Sequence, residues 1–131
     1  EIVDNTIPVM GLIAAGGLIE TFTDVRENLD LAEIFNKKDV FALTVNGDSM
    51  KDAYIADGDM VLMEPLKDSS SIRNGTIVSA LVPGLGTTLK YFVKRNQKIF
   101  LEAANPNYEP IEIDLNNVIF QGKLLAVWRK I

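Results

Sequence analysis

The chain has 131 residues, 47% of them apolar and 24% charged, enough for one compact domain with a real core and too few for two ordinary ones. Thirteen Lys and Arg stand against eighteen Asp and Glu, a net charge of −5, which argues against a nucleic-acid surface because clustered cations supply phosphate affinity. Cysteine and histidine are both absent; this excludes disulfides, thiol nucleophiles, Ser-His-Asp triads and the common zinc sites, and leaves covalent chemistry to Ser, Thr, Lys or a carboxylate.

The first methionine is Met10, inside an apolar segment, so the sequence reads as part of a larger protein. Ile7 to Ile19 combine branched aliphatics with Gly11, Gly16 and Gly17, which predicts an extended segment short of regular structure. No positive region precedes it and no apolar run approaches the roughly 20 residues of a membrane helix, so neither a signal peptide nor a span is expected. A cytoplasmic protein with no membrane contact fits best. Leu31, Ile34 and Phe35 follow helical spacing, with Asp30 as the cap.

Strands dominate from there. Phe41, Leu43 and Val45 alternate with smaller residues until Asn46-Gly47-Asp48 breaks the run. Asp57-Gly58-Asp59 leads into Met60 to Met63, and Asn74-Gly75 introduces Thr76 to Val82. Thr87 to Lys94 and Lys98 to Ala103 flank a hairpin turn. Asn105-Pro106-Asn107 marks a loop, Ile111 to Ile113 a short strand, and Val118 to Arg129 a long one bent at Gly122. Short, mostly antiparallel strands between frequent turns predict an all-β domain, a small sandwich or a partly closed barrel.

Several motifs reduce to turns. Gly84 to Lys90 lacks the Gly-Lys-Ser/Thr ending of a phosphate loop and precedes a strand instead of a helix. Asp57, Asp59 and Glu64 miss the spacing of a calcium loop, and Asn74-Gly75-Thr76 is read as a turn although it matches a glycosylation pattern. No metal or cofactor site is expected. Ser49 differs from these. Following a glycine-containing break at a strand end, its hydroxyl can be held exposed beside convergent backbone N–H groups, the parts of a nucleophile and an oxyanion hole; taken alone, a serine bonding its own turn is the commoner case. Lys90 lies mid-strand on a face with Thr88 and Phe92. General-base work near neutral pH requires an amine far below a free lysine's pKa of about 10.4, which burial can supply, while most strand lysines reach into water.

Taken together, Val45-Asn46-Gly47-Asp48-Ser49-Met50-Lys51-Asp52 and Ile55-Ala56-Asp57-Gly58-Asp59 resemble the active-site signature of LexA repressors and their self-cleaving relatives. Thr88-Leu89-Lys90, 41 residues beyond Ser49, falls where that family keeps its catalytic lysine, and Ala14-Ala15-Gly16 resembles its scissile Ala-Gly. The resemblance covers nearly the whole chain, through Arg73-Asn74-Gly75, the Asn105 to Ile111 loop and the closing strand.

The resemblance implies a repressor's C-terminal domain whose helix-turn-helix partner lies upstream of Glu1 and alone contacts operator DNA. Residues 1–20 would be linker and cleavage segment, and 21–131 a self-cleaving dimerisation domain. Ser49 would attack the carbonyl of Ala15 with neutral Lys90 as base, leaving Gly16 as a new N-terminus. The N–H groups of Asp48 and Ser49 would form the oxyanion hole, and Val9, Leu12 and Ile13 would fill apolar pockets. Implied partners are a second copy, seamed around Leu124 to Trp128, and the RecA–single-stranded DNA filament that stimulates cleavage after DNA damage. Gly17-Leu18 departs from the family's frequent Glu-Pro and loosens the loop. UmuD-type self-processing proteins share the dyad but usually cut at Cys-Gly. A dimerisation module whose dyad is rarely engaged is the reading from another class.

Overall fold

Turn signals set the strand ends, and the intervals between them fill with strands. The computed structural model describes residues 5–13, 19–21 and 27–131, and the chain divides into two compact units, Glu1–Asn36 and Lys37–Ile131. In the first, β1 (Ile7–Val9) pairs antiparallel with β4 (Glu27–Leu29), and β2 (Gly11–Ile13) pairs with β3 (Ile19–Thr21). The segment expected to lack regular structure therefore contains strands. Branched residues at Ile7, Val9 and Ile13 favour the extended backbone, and antiparallel partners complete its hydrogen bonds. The short helix α1 (Leu31–Ile34) follows, with the Asp30 carboxylate accepting the Glu33 N–H at 3.2 Å as a cap.

The second unit holds β5 (Phe41–Thr44), β6 (Met60–Pro65), β7 (Ile77–Val82), β8 (Gly86–Arg95), β9 (Lys98–Glu102), β10 (Ile111–Ile113) and β11 (Ile119–Trp128). They form one antiparallel sheet in the order β10-β9-β8-β7-β11-β6-β5, curled into a half-barrel. The expected all-β class holds, realised as one curled sheet. Strands β7 to β10 run as a meander, whereas β11 returns to insert between β7 and β6.

Two register shifts in β11, at Phe120/Gly122 against β7 and at Leu124/Ala126 against β6, bend the long strand. Gly122 suits the first bend: a Cβ there would lie 3.0 Å from the Glu64 carbonyl oxygen and 3.0 Å from the Phe41 ring, so these neighbours would have to give way.

Alternation along the strands divides the core into two clusters. One gathers Val78, Ala80, Val82, Phe92, Ile99 and Leu101, with Phe92 meeting Phe120 edge to face at 5.5 Å. The other gathers Met50, Ile55, Val61, Met63 and Ala104. Met50 and Ile55 flank the turn that follows Ser49, so this second cluster fixes the loop of interest to the sheet.

Candidate active site

Ser49 lies in the loop between β5 and a 3-10 turn at Lys51–Ala53. Gly47 takes φ +103°, a conformation open to glycine, and its N–H donates to Asp57 Oδ1 at 2.6 Å. The Gly58 N–H donates to the Val45 carbonyl at 2.8 Å, and the Val45 N–H to the Asp59 carbonyl at 2.8 Å. These bonds lay the Asp57-Gly58-Asp59 turn along the stretch that enters the serine loop. Met50, 2% exposed, anchors the loop from below.

Lys90 sits at the middle of β8, opposite Val78, and is 8% exposed. Its Nζ lies 2.9 Å from Ser49 Oγ, 2.6 Å from Thr88 Oγ1 and 3.1 Å from the Leu89 carbonyl oxygen. No ion pair among the described residues includes it. Burial with no compensating carboxylate pushes the amine below its ordinary pKa. A neutral amine has two N–H donors and one lone pair. Thr88 and Leu89 accept the two donors, which leaves the lone pair facing the Ser49 hydroxyl. In that state the hydroxyl donates to Nζ, the geometry of a nucleophile beside its base.

The pair opens into a cleft of about 240 Å³ whose lining includes the apolar side chains of Leu43, Val45, Met50, Val61 and Leu89. Among the described residues, no hydrogen bond occupies the N–H of Asp48, Ser49 or Met50, whereas those of Gly47, Lys51, Asp52 and Ala53 are taken. Unoccupied donors in the loop that carries a serine hydroxyl suit a developing oxyanion.

Two further groups of side chains brace the loop. The Asp52 N–H donates to the Ala104 carbonyl at 2.8 Å, Asn105 Nδ2 to the Asp48 carbonyl at 2.9 Å, and the Tyr108 hydroxyl to Asp48 Oδ1 at 2.6 Å. Its hydrogen bond to that carboxylate raises the Tyr108 pKa above the ordinary value. On the other side Arg129 grips Asp59 through Nε at 2.7 Å and Nη2 at 2.6 Å, and also reaches the Tyr54 carbonyl. The Arg129 guanidinium and the Ala56 N–H hold the Asp59 carboxyl at about 2.

Ser49 and Lys90 thus come together, and the N–H groups of Asp48 and Ser49 lie unoccupied in the same loop. Val9 closes β1 and Leu12 and Ile13 lie in β2, while Ala15 and Gly16 fall outside the described residues. Thr88 shares the face of Lys90 two residues away, a spacing that pointed to it. Asn105, Tyr108 and Arg129 reach the loop from distant segments; the resemblance takes in the loop of Asn105 and Tyr108, but no local pattern assigns any of the three a contact with the serine loop. Of the carboxylates weighed for calcium, Asp57 accepts from the Gly47 N–H and Asp59 from Arg129, while Glu64 pairs with Lys37 and Lys123. Asn74 exchanges two bonds with the backbone of Lys94, as a turn residue does.

A family model described as Peptidase S24-like matches residues 8–125. A LexA repressor of Koribacter versatilis (strain Ellin345) is 38% identical over 124 residues, covering 95% of this chain and 57% of the relative. The chain therefore spans little more than half the length of the curated relative it matches.

Proposed function

The chain belongs to the Peptidase S24-like family, and from that premise we propose that it is the C-terminal domain of a LexA-type repressor that inactivates itself by cutting Ala15–Gly16 with a Ser49–Lys90 dyad. The observation that carries the reading is the 2.9 Å approach of Lys90 Nζ to Ser49 Oγ, made by a buried lysine that has no ion-pair partner among the described residues. The serine-peptidase character of the family supports the same chemistry.

Ser49 Oγ adds to the carbonyl carbon of Ala15 while its proton passes to neutral Lys90. The carbonyl oxygen becomes an oxyanion and takes hydrogen bonds from the N–H groups of Asp48 and Ser49. Collapse of the tetrahedral adduct breaks the bond to the Gly16 nitrogen, which takes the proton from Lys90 and leaves as a new N-terminus. Water then adds to the ester on Ser49, with Lys90 again as base, and frees Ala15 as a carboxylate. Small residues on both sides of the bond let backbone enter a narrow cleft, and Val9, Leu12 and Ile13 match its apolar lining. A tethered substrate has a high effective concentration, so modest catalytic power suffices.

In this reading residues 1–20 are linker and cleavage segment, contained in the first unit, and 21–131 form the catalytic and dimerising domain. An upstream helix-turn-helix domain binds operator DNA, and the RecA–single-stranded DNA filament promotes the cut after DNA damage. Cleavage separates the DNA-binding half from the dimerising half, so operator affinity falls through lost bivalency. Support for a seam around Leu124 to Trp128 comes from β11 itself. Its ladder with β7 ends at the Lys123–Val78 pair, and Val127 and Trp128 beyond it are exposed. No helix among the described residues is long and apolar enough to cross a membrane; a cytoplasmic repressor is consistent with that.

A dilution series tests the reading. Over about a hundredfold dilution the half-life of the uncut chain stays constant if the cut is intramolecular, and Ser49→Ala abolishes it. A half-life that lengthens in proportion to dilution would indicate cutting between chains instead.

A further inference from the structure

The Asp48–Ser49 peptide has two faces with different tasks. Its N–H is one of the two donors assigned to the oxyanion, so any catalytic role for the opposite face rests on the self-cleavage reading. The peptide is trans, and in a trans peptide N–H and C=O point in opposite directions. Whatever holds the Asp48 carbonyl therefore aims the Ser49 N–H.

Two donors hold that carbonyl, the Lys51 N–H at 3.2 Å and Asn105 Nδ2 at 2.9 Å. The first is the turn's own bond, whereas Asn105 reaches in from 57 residues away. Asn105 is 4% exposed, and its Oδ1 accepts the Asn107 N–H at 2.9 Å. That second bond sets the amide's orientation, because a flipped amide would face a donor with a donor and an acceptor with an acceptor. Ala104 and Tyr108 grip Asp52 and Asp48 on either side, so the loop from 104 to 108 holds both flanks of Ser49. The loop leaves β9, which is hydrogen-bonded to β8, the strand of Lys90. The serine loop is thereby registered against the strand that carries the base.

We propose that Asn105 is a positioning residue for the cleavage reaction: by holding the Asp48 carbonyl through its side-chain amide, it aims the Ser49 N–H at the oxyanion. It touches no reacting atom. Its effect falls on the height of the barrier and leaves the protonation of Lys90 unchanged.

Asn105→Asp tests this, since it keeps an acceptor for Asn107 but places an oxygen against the Asp48 carbonyl. Self-cleavage of the chain is followed across alkaline pH, together with the ¹H–¹⁵N resonance of the Ser49 amide. The expected result is a plateau rate lowered about 10²-fold, the scale for a lost oxyanion donor, with the midpoint of the rate–pH curve unchanged. The Ser49 resonance shifts while those of β8 stay in place. A plateau within about threefold of the parent, or a midpoint that moves with the rate, would overturn the proposal. Should the Asp variant not fold, Asn105→Ser, small and uncharged, is read in the same way. A parent chain left uncut at every pH overturns the self-cleavage reading and this inference with it. A parent that cuts, with Asn105→Asp cutting equally fast, overturns the inference alone.

Discussion

Burying an amine among apolar side chains costs stability whenever the amine is charged. Lys90 is such an amine, its pKa lowered by desolvation from 10.5. In the window between the lowered value and 10.5 the unfolded chain binds more protons than the folded one, so stability rises with pH there. Lys90→Met removes that dependence. We expect the variant to melt above the parent near pH 7, with the difference shrinking toward pH 10; a gap that widens as pH rises would contradict a buried lysine. Part of this residue's environment is legible in the sequence, since alternation places Lys90 on the face of Thr88 and Phe92. Its approach to Ser49 is not, because it depends on β5 and β8 being brought together by a sheet whose strand order no local pattern encodes.

At the scale of elements, the turn dipeptides and alternating residues make nearly every strand from β5 to β11 readable, because each signal is local. The insertion of β11 between β7 and β6 is a long-range pairing that those signals leave open, and so is the bond from Arg129 back to Asp59. Gly122 shows the difference. The sequence marks a bend there, but only the packing of Phe41 and the Glu64 carbonyl against its missing side chain explains why glycine suits it. Gly122→Ala forces backbone or ring to move and should destabilise the domain by about 1–3 kcal/mol, read from the denaturant midpoint at unchanged slope.

Arg129 ties the end of β11 to the turn beside the serine loop. Asp59, held at about 2 against 3.8 when free, contributes stability that is present above 3.8 and lost as pH falls toward about 2. Arg129→Ala removes the largest cause of that lowering. Acid unfolding of the variant should begin at higher pH than in the parent, and the stability difference should vanish in strong acid. Superimposable acid transitions would show that the pair contributes nothing to the fold.

Across the whole molecule, the net charge of −5 argues against a nucleic-acid surface on this domain, in keeping with the proposed division of labour. The edge of β11 beyond Lys123, unpaired among the described residues, and the exposed Val127 and Trp128 suit the proposed self-pairing seam. Val127→Lys places a charge there and should convert a dimer to monomers in sedimentation equilibrium, while leaving an intramolecular cut at the parent rate. A variant that stays dimeric would move the seam elsewhere. The central claim is that Ser49 and Lys90 together cut one bond in their own chain, and intact-mass spectrometry after incubation at about pH 7 and about pH 10 tests it most directly. With an authentic dyad, fragments ending at Ala15 and beginning at Gly16 accumulate faster in alkali and are absent from Ser49→Ala and Lys90→Ala. A parent chain that stays whole at both pH values, and stays whole with a RecA–single-stranded DNA filament present, would contradict it.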